Sequence, residues 1–214
     1  MIDYDYYADI PRATVDAFVC EREMGRLVTV SGDGFPHIGL YPFAYEGDVV
    51  ELHMNRADEQ IVDLKARPRC VFEVDEVLGV IPSYWVHPED AVMATAYHRT
   101  VIFDCEATVS EDAAVLAEQQ MRLLGRYQPE GGFRPVTRDD PLYHAAIAHI
   151  AAIRLDIRGR RTKFKLAQNR SLDARAKIVA ELRKRGRPND AHAADALQWT
   201  IDQERRPSTR QSRA

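Results

Sequence analysis

Apolar and polar positions alternate with a period of two over much of this chain, broken by short stretches of helical period. The segment LYPFAYEGDVVELHMNRADEQIVDLKARPRCVFEVD, from Leu40 to Asp75, shows the pattern best and reads as strand, turn, strand, helix, strand. Its first strand runs from about Ile38 to Tyr45. Glu46-Gly47-Asp48 then turns the chain, since glycine accepts the positive φ of a tight turn. In Val49–Met54, Val50, Leu52 and Met54 alternate with Glu51 and His53. Asn55 or Asp58 caps a helix whose apolar stripe is Ile61 and Leu64, and Pro68 stops it. Cys70, Phe72 and Val74 mark one face of the next strand.

The flanks extend this reading. Asp9-Ile10-Pro11 opens a helix with Val15, Phe18 and Val19 as its stripe and Gly25 as its end. Leu27–Val30 and Phe35–Leu40 form a hairpin across Ser31-Gly32-Asp33-Gly34. The strand pattern resumes at Val77–Ile81 and stops at Pro82, before an aromatic loop through Trp85. Arg99–Val109 is a strand, and Ser110-Glu111-Asp112 caps a helix to about Arg126. The proline- and glycine-rich Gln128–Asp140 is a loop, Leu142–His149 a short helix, and Ile150–Arg158 the last core strand, which Thr162–Gln168 extends beyond a break at Gly159. Ala174–Arg185 and Ala191–Gln203 read as helices, the second anchored by Trp199. Six or seven short strands joined mostly by tight turns predict a mainly β protein with flanking helices and an antiparallel barrel. The expected organisation is a barrel domain over 1–170, a helical appendage over 171–204 and a disordered tail over 205–214.

Charge and cysteine content narrow the setting. The net charge of −4 hides an asymmetry: from Arg158 onward there are 16 Lys+Arg against 6 Asp+Glu. Such a segment suits a solvated tail, an anionic cofactor or an acidic partner better than nucleic acid, because few aromatics interleave the charges. The acidic, aromatic N-terminus is unlike a signal peptide, and no apolar run has membrane-spanning length. Cys20, Cys70 and Cys105 are widely spaced, as buried free thiols of a cytoplasmic protein would be. GxGxxG, GxxxxGK[ST] and GxSxG are absent, and His144 and His149 lack metal-ligand company, so no metal site is expected.

The residues now support a resemblance. The Leu40–Asp75 segment resembles the flavin-binding split barrel of the pyridoxamine-phosphate-oxidase superfamily, with which it shares a Pro-Phe strand, a strand-end His, a helix and an FEVD-like strand. It is similar to the nitroimidazole-reductase-like branch. It also resembles the PaiB-type branch through His53-Met54, Ile81-Pro82-Ser83-Tyr84-Trp85 and Lys163-Phe164-Lys165-Leu166-Ala167-Gln168-Asn169. It departs from PaiB at Ala96-Tyr97-His98 and at the helix start Arg56-Ala57-Asp58-Glu59-Gln60. The likeness spans about Arg26 to Arg170.

The resemblance implies a six- to seven-stranded antiparallel split β-barrel of FMN-binding type, working as a homodimer with cofactor sites at the interface. Pro42 and Phe43 would back the flavin ring, with His53 in contact and Asn55, Arg56 and Gln60 around the phosphate at the helix start. Ser83, Trp85, Arg99, Lys163, Lys165 and Gln168 are further cofactor-binding candidates, and Tyr97 and His98 are the candidate catalytic residues. The implied activity is transfer of electrons from NAD(P)H through FMN to a small organic acceptor. Alternatives are a PaiB-like transcriptional regulator and a split barrel holding a deazaflavin or haem, the last with His53, His98 or His37 as axial ligand.

Overall fold

The computed structural model describes residues 4–205. Seven strands form one antiparallel sheet. They are β1 (Met24–Val30), β2 (Pro36–Pro42), β3 (Ala44–Glu46), β4 (Val49–Asn55), β5 (Arg69–Ile81), β6 (Thr95–Ser110) and β7 (Ile150–Lys165), in the order β2-β1-β5-β6-β7-β4-β3. Helices α1 (Asp5–Ala8) and α2 (Arg12–Glu21) precede the strands, and α3 (Glu59–Ala66) lies between β4 and β5. After β6 come α4 (Ala113–Tyr127) and α5 (Pro141–His149); α6 (Leu172–Arg185) and α7 (Asp190–Arg205) end the described chain. Arg205 therefore belongs to a helix, and residues 206–214 of the expected tail lie outside the described residues.

The chain gathers into two compact units. The first holds Pro11–Val74 and Val101–Arg161; the second holds the described residues up to Ile10, Asp75–Thr100 and those from Thr162 onward. In the first, Leu27, Phe43, Leu52, Phe72 and Phe103 are fully buried, and Phe43 meets Phe72 edge-on at 5.1 Å. Such side chains contribute roughly 1.5–3 kcal/mol each on burial. A smaller cluster, Leu116, Ala117, Val136, Ile147 and Ala152, packs beneath α4 and α5. In the second unit, Ile178, Val179 and Leu182 of α6 are buried, as are Ala193, Ala194, Leu197 and Ile201 of α7. Buried Arg175 ties the two helices by donating to the Thr200 carbonyl and hydroxyl, each at 3.3 Å, and by pairing with Glu204.

Several expected boundaries move, each for a local reason. The strand expected over Ile38–Tyr45 divides at Phe43, whose N–H donates to the Tyr127 hydroxyl at 2.8 Å. Gly25 does not end a helix. It lies in β1 opposite Tyr41, where an added Cβ would come within 2.3 Å of the Phe72 ring. At Gly159 β7 does not break, because the Asp104 side chain occupies the space beside it, its Oδ2 3.1 Å from an added Cβ. Trp199 is only half-buried; alanines with Leu197 and Ile201, not the indole, make the buried α7 face. Cys70 and Cys105 are buried, with thiols that burial pushes up to about 12, whereas Cys20 is exposed. No helix among the described residues is long and apolar enough to cross a membrane.

Candidate functional site

The start of α3, in the first unit, is already occupied by the chain's own groups. Asp58 caps the helix by accepting from Gln60 N–H at 2.9 Å, and Glu59 adds a second carboxylate to the first turn. Asn55 Oδ1 accepts from Ala57 N–H at 2.9 Å. The Arg56 guanidinium donates to the carbonyls of Ile150 (2.8 Å) and Ile147 (3.2 Å) at the end of α5, and pairs with Glu111 at 3.4 Å. Arg56 therefore satisfies carbonyls that the helix leaves without an internal partner.

Gln60 is buried in a polar network. Its Nε2 donates to the carbonyls of Leu27 (3.1 Å) and His37 (3.3 Å) and to Thr29 Oγ1 (3.2 Å), while its Oε1 accepts from the Tyr41 hydroxyl at 2.7 Å. Beside it, buried Asp63 accepts from Thr29 (2.7 Å) and from His37 Nδ1 (2.8 Å). That hydrogen bond raises the His37 pKa, with Glu59 and Asp33 adding to it. Of the remaining candidates in this unit, Pro42 ends β2 half-buried and Phe43 is a core residue. His53 lies on the β4 face that also carries Glu51, and Glu51 is held by Arg122 of α4 at 2.6 Å. The His53 Nδ1 is buried without a partner among the described residues, and desolvation lowers the His53 pKa.

In the second unit, Tyr97, Lys163 and Lys165 line one cavity of about 330 Å³, together with Thr95, Asn169 and Arg170. Alternation explains the placement: Phe164 and Leu166 point into the core, so the lysines between them take the opposite face of β7. Thr95 and Tyr97 share a face of neighbouring β6, and Lys165 Nζ donates to Thr95 Oγ1 at 2.7 Å. Among the described residues no carboxylate lines this cavity. Desolvation, then Lys163 and Arg170, lower the Lys165 pKa. Tyr97 is 2% exposed, its hydroxyl has no partner among the described residues, and burial raises its pKa. His98 is half-buried, with Nδ1 3.1 Å from Thr100 Oγ1; desolvation and then Lys163 and Lys165 lower its pKa.

The other candidates in this unit have structural partners. Arg99 Nε donates to Glu76 at 2.7 Å. Gln168 locks the turn after β7, its Nε2 donating to Phe164 C=O at 2.6 Å and its Oε1 accepting from Leu166 N–H at 2.8 Å. Ser83 opens a 3-10 turn, Trp85 is buried with the Arg185 guanidinium 4.8 Å from its ring centroid, and Tyr84 is exposed.

Sequence reasoning missed Thr95, Asn169, Arg170 and the N-terminal wall of Tyr4, Tyr6 and Tyr7. The run Asp3-Tyr4-Asp5-Tyr6-Tyr7 was the one available signal, a concentration of aromatics outside any strand pattern. A larger cavity in the first unit, about 760 Å³, is lined by Glu46, Glu51, Arg122, Arg126 and Arg154. Its charges are largely committed: Arg122 to Glu51, Arg154 to Asp156, and Arg126 to the carbonyl of Cys20.

These geometries test whether a flavin nucleotide fits. The start of α3 offers a dianion two carboxylates, and the side-chain donors of Arg56 and Gln60 there are committed to groups of the chain itself. The second-unit cavity offers a buried hydroxyl without a partner, three cationic side chains and an aromatic wall, which suit a ring-bearing anion.

Comparison with known proteins places the chain in a family. A family model described as "Putative FMN-binding domain" matches residues 1–159. Among solved structures, the flavocytochrome Anf3 from Azotobacter vinelandii superposes with a TM-score of 0.62 at 20% identity, covering 77% of this chain and 72% of that one. The conserved hypothetical protein Rv2991 from Mycobacterium tuberculosis gives 0.58 at 18% identity, covering 79% and 92%. A "putative 5-nitroimidazole antibiotic resistance protein" from Bacteroides thetaiotaomicron gives 0.55 at 13% identity, covering 72% and 83%. At these identities the likeness is one of fold. No curated protein matches the chain significantly.

Proposed function

The chain belongs to the FMN-binding domain family of the pyridoxamine-phosphate-oxidase-like split barrels, and on that premise we propose that it is a flavin-dependent oxidoreductase taking electrons from NAD(P)H to a small organic acceptor. The family match over residues 1–159 is the observation that carries this reading. A bound flavin supplies the hydride and electron chemistry; the protein supplies binding, orientation and electrostatics.

The second-unit cavity supports those roles. Lys163, Lys165 and Arg170 set a positive potential where an anionic ligand would lie, and the tyrosines exclude water from its aromatic part. His98 is not among the residues that line this cavity; burial and then the two lysines lower its pKa, so it is neutral near neutral pH. Tyr97 holds its proton and can donate a hydrogen bond. A homodimer belongs to the same reading and is supported by the outer face of β1, β2 and β5. There Val28, Ile38 and Val71 stand side by side, with Ile38 64% and neighbouring Leu40 56% exposed.

The visible spectrum of purified protein, recorded before and after FMN and then NADPH, tests the proposal. Flavin bands that bleach with NADPH are expected. Stable flavin bands that NADPH leaves unchanged would remove the proposed donor. A Soret band, or FMN binding no tighter than millimolar, would overturn the flavin assignment.

A further inference from the structure

We propose that the second-unit cavity is a phosphate-binding pocket for a ring-bearing phosphomonoester, with the Tyr97 hydroxyl and Lys165 ammonium as its inner donors. Nearly every buried polar group in a folded protein has a partner, so the buried Tyr97 hydroxyl, which has none among the described residues, points to an acceptor brought by a ligand. Its surroundings define that acceptor. Lys163, Lys165 and Arg170 line the same cavity and, among the described residues, no carboxylate does, which favours an anionic acceptor. Phosphate suits such a cluster because several oxygens accept charge-assisted hydrogen bonds at once.

The backbone is arranged to bring the third cation in. Ala167, a non-glycine residue two positions past the end of β7, takes φ 66°. Arg170 N–H then bonds back to the Ala167 carbonyl at 2.9 Å, and Asn169 and Arg170 return to the cavity that Lys163 and Lys165 line. L-residues adopt that conformation at a cost, and such positions concentrate at ligand sites.

A ring is implied by the opposite wall. Tyr4 and Tyr6 stack at 5.2 Å between centroids and Tyr6 meets Tyr7 edge-on at 4.4 Å, which presents aromatic surface beside the cations. At about 330 Å³ the cavity is at the small end of ligand pockets and is sized for a single ring system with its phosphate. The start of α3, crowded by Asp58 and Glu59, is the less favourable place for a dianion. The inference deepens the flavin reading and rests on it only for the identity of the ring. FMN and another aromatic phosphomonoester share this chemistry.

Calorimetric titration of the full chain separates these sources and tests the site. Phenyl phosphate, FMN and riboflavin are titrated into the wild type, Tyr97→Phe, Lys165→Gln and Lys165→Arg, with the unliganded melting temperature measured for each. Phenyl phosphate is expected to bind, about tenfold more weakly to Tyr97→Phe and Lys165→Gln, with partial recovery in Lys165→Arg. The Tyr97→Phe melting temperature is expected to equal or exceed the wild type's, since the lost hydroxyl had no partner. FMN binding more tightly than riboflavin, by a margin that Lys165→Gln removes, identifies FMN as the bearer of the phosphate. Phenyl phosphate binding that depends on Lys165, without FMN binding, upholds the pocket and overturns the flavin reading. FMN binding unchanged by both substitutions, with no phenyl phosphate binding, overturns the pocket and leaves the flavin reading standing. A clearly lower melting temperature for Tyr97→Phe would make the hydroxyl a structural group and overturn its role as a donor.

Discussion

Gly39 shows how tightly single positions are constrained around β2. An added Cβ there would stand 2.3 Å from Gln60 Oε1 and from the Tyr41 hydroxyl, the two atoms that hydrogen-bond each other. Gly39→Ala must push that pair apart, so it is expected to destabilise by about 1–3 kcal/mol, readable as a lower urea midpoint with unchanged slope. The neighbouring His37 predicts a pH dependence. Its pKa is raised by Asp63 above the unfolded value of about 6.5, so its contribution is full below that pH and is lost as pH rises through the folded value. His53 and His98 act with the opposite sign. Burial lowers their pKa, so on acidification the unfolded state takes up protons first and stability falls below about pH 6.5. Unfolding curves across this range should show declines on both sides, and His37→Asn should abolish only the alkaline one. Sequence reading reached Gln60 as a polar residue at a helix start and His37 only as a possible haem ligand. It missed that they belong to one network, because Asp63 lies 26 positions from His37 and Thr29 lies 31 from Gln60.

Elements were most legible where one local signal decides. The Asp58 and Asp112 caps and the alternation of β4 needed only neighbouring residues, and the structure places the caps there. Misreadings occur where a distant element decides. Gly25 looks like a helix stop, yet it is small because Phe72 of β5 covers it; Gly159 looks like a break, yet Asp104 of β6 fills its side. Arg56 has the same ambiguity and permits a test. As a phosphate ligand it would control affinity; as observed, it holds the carbonyl end of α5. Arg56→Gln is expected to lower stability by about 1–2 kcal/mol, measured in urea, while leaving phosphate-dependent ligand affinity unchanged. A large loss of FMN or phenyl phosphate affinity without a loss of stability would return Arg56 to the ligand.

At the scale of the molecule, the alternation of strands made the antiparallel sheet legible, but not which faces are covered. The burial pattern of β2 leaves Ile38 and Leu40 outward, and the register sets Ile38 beside Val28 and Leu40 beside Arg26. Val71 and Glu73 of β5 continue those two rows, so the apolar row Ile38–Val28–Val71 lies next to Leu40 and an Arg26–Glu73 pair of opposite charge. An apolar strip with a polar rim suits a self-complementary interface, since two copies related by a two-fold axis can bury the strip against itself. Ile38 is already exposed, so Ile38→Asp should leave the protomer folded, with a melting temperature close to that of the wild type at low concentration. It should nevertheless convert a dimer to a monomer, because two buried carboxylates would face each other without partners. Sedimentation of both proteins decides the matter. A dimeric wild type with a monomeric Ile38→Asp supports this face, a dimer unaffected by the substitution places the interface elsewhere, and a monomeric wild type overturns the homodimer.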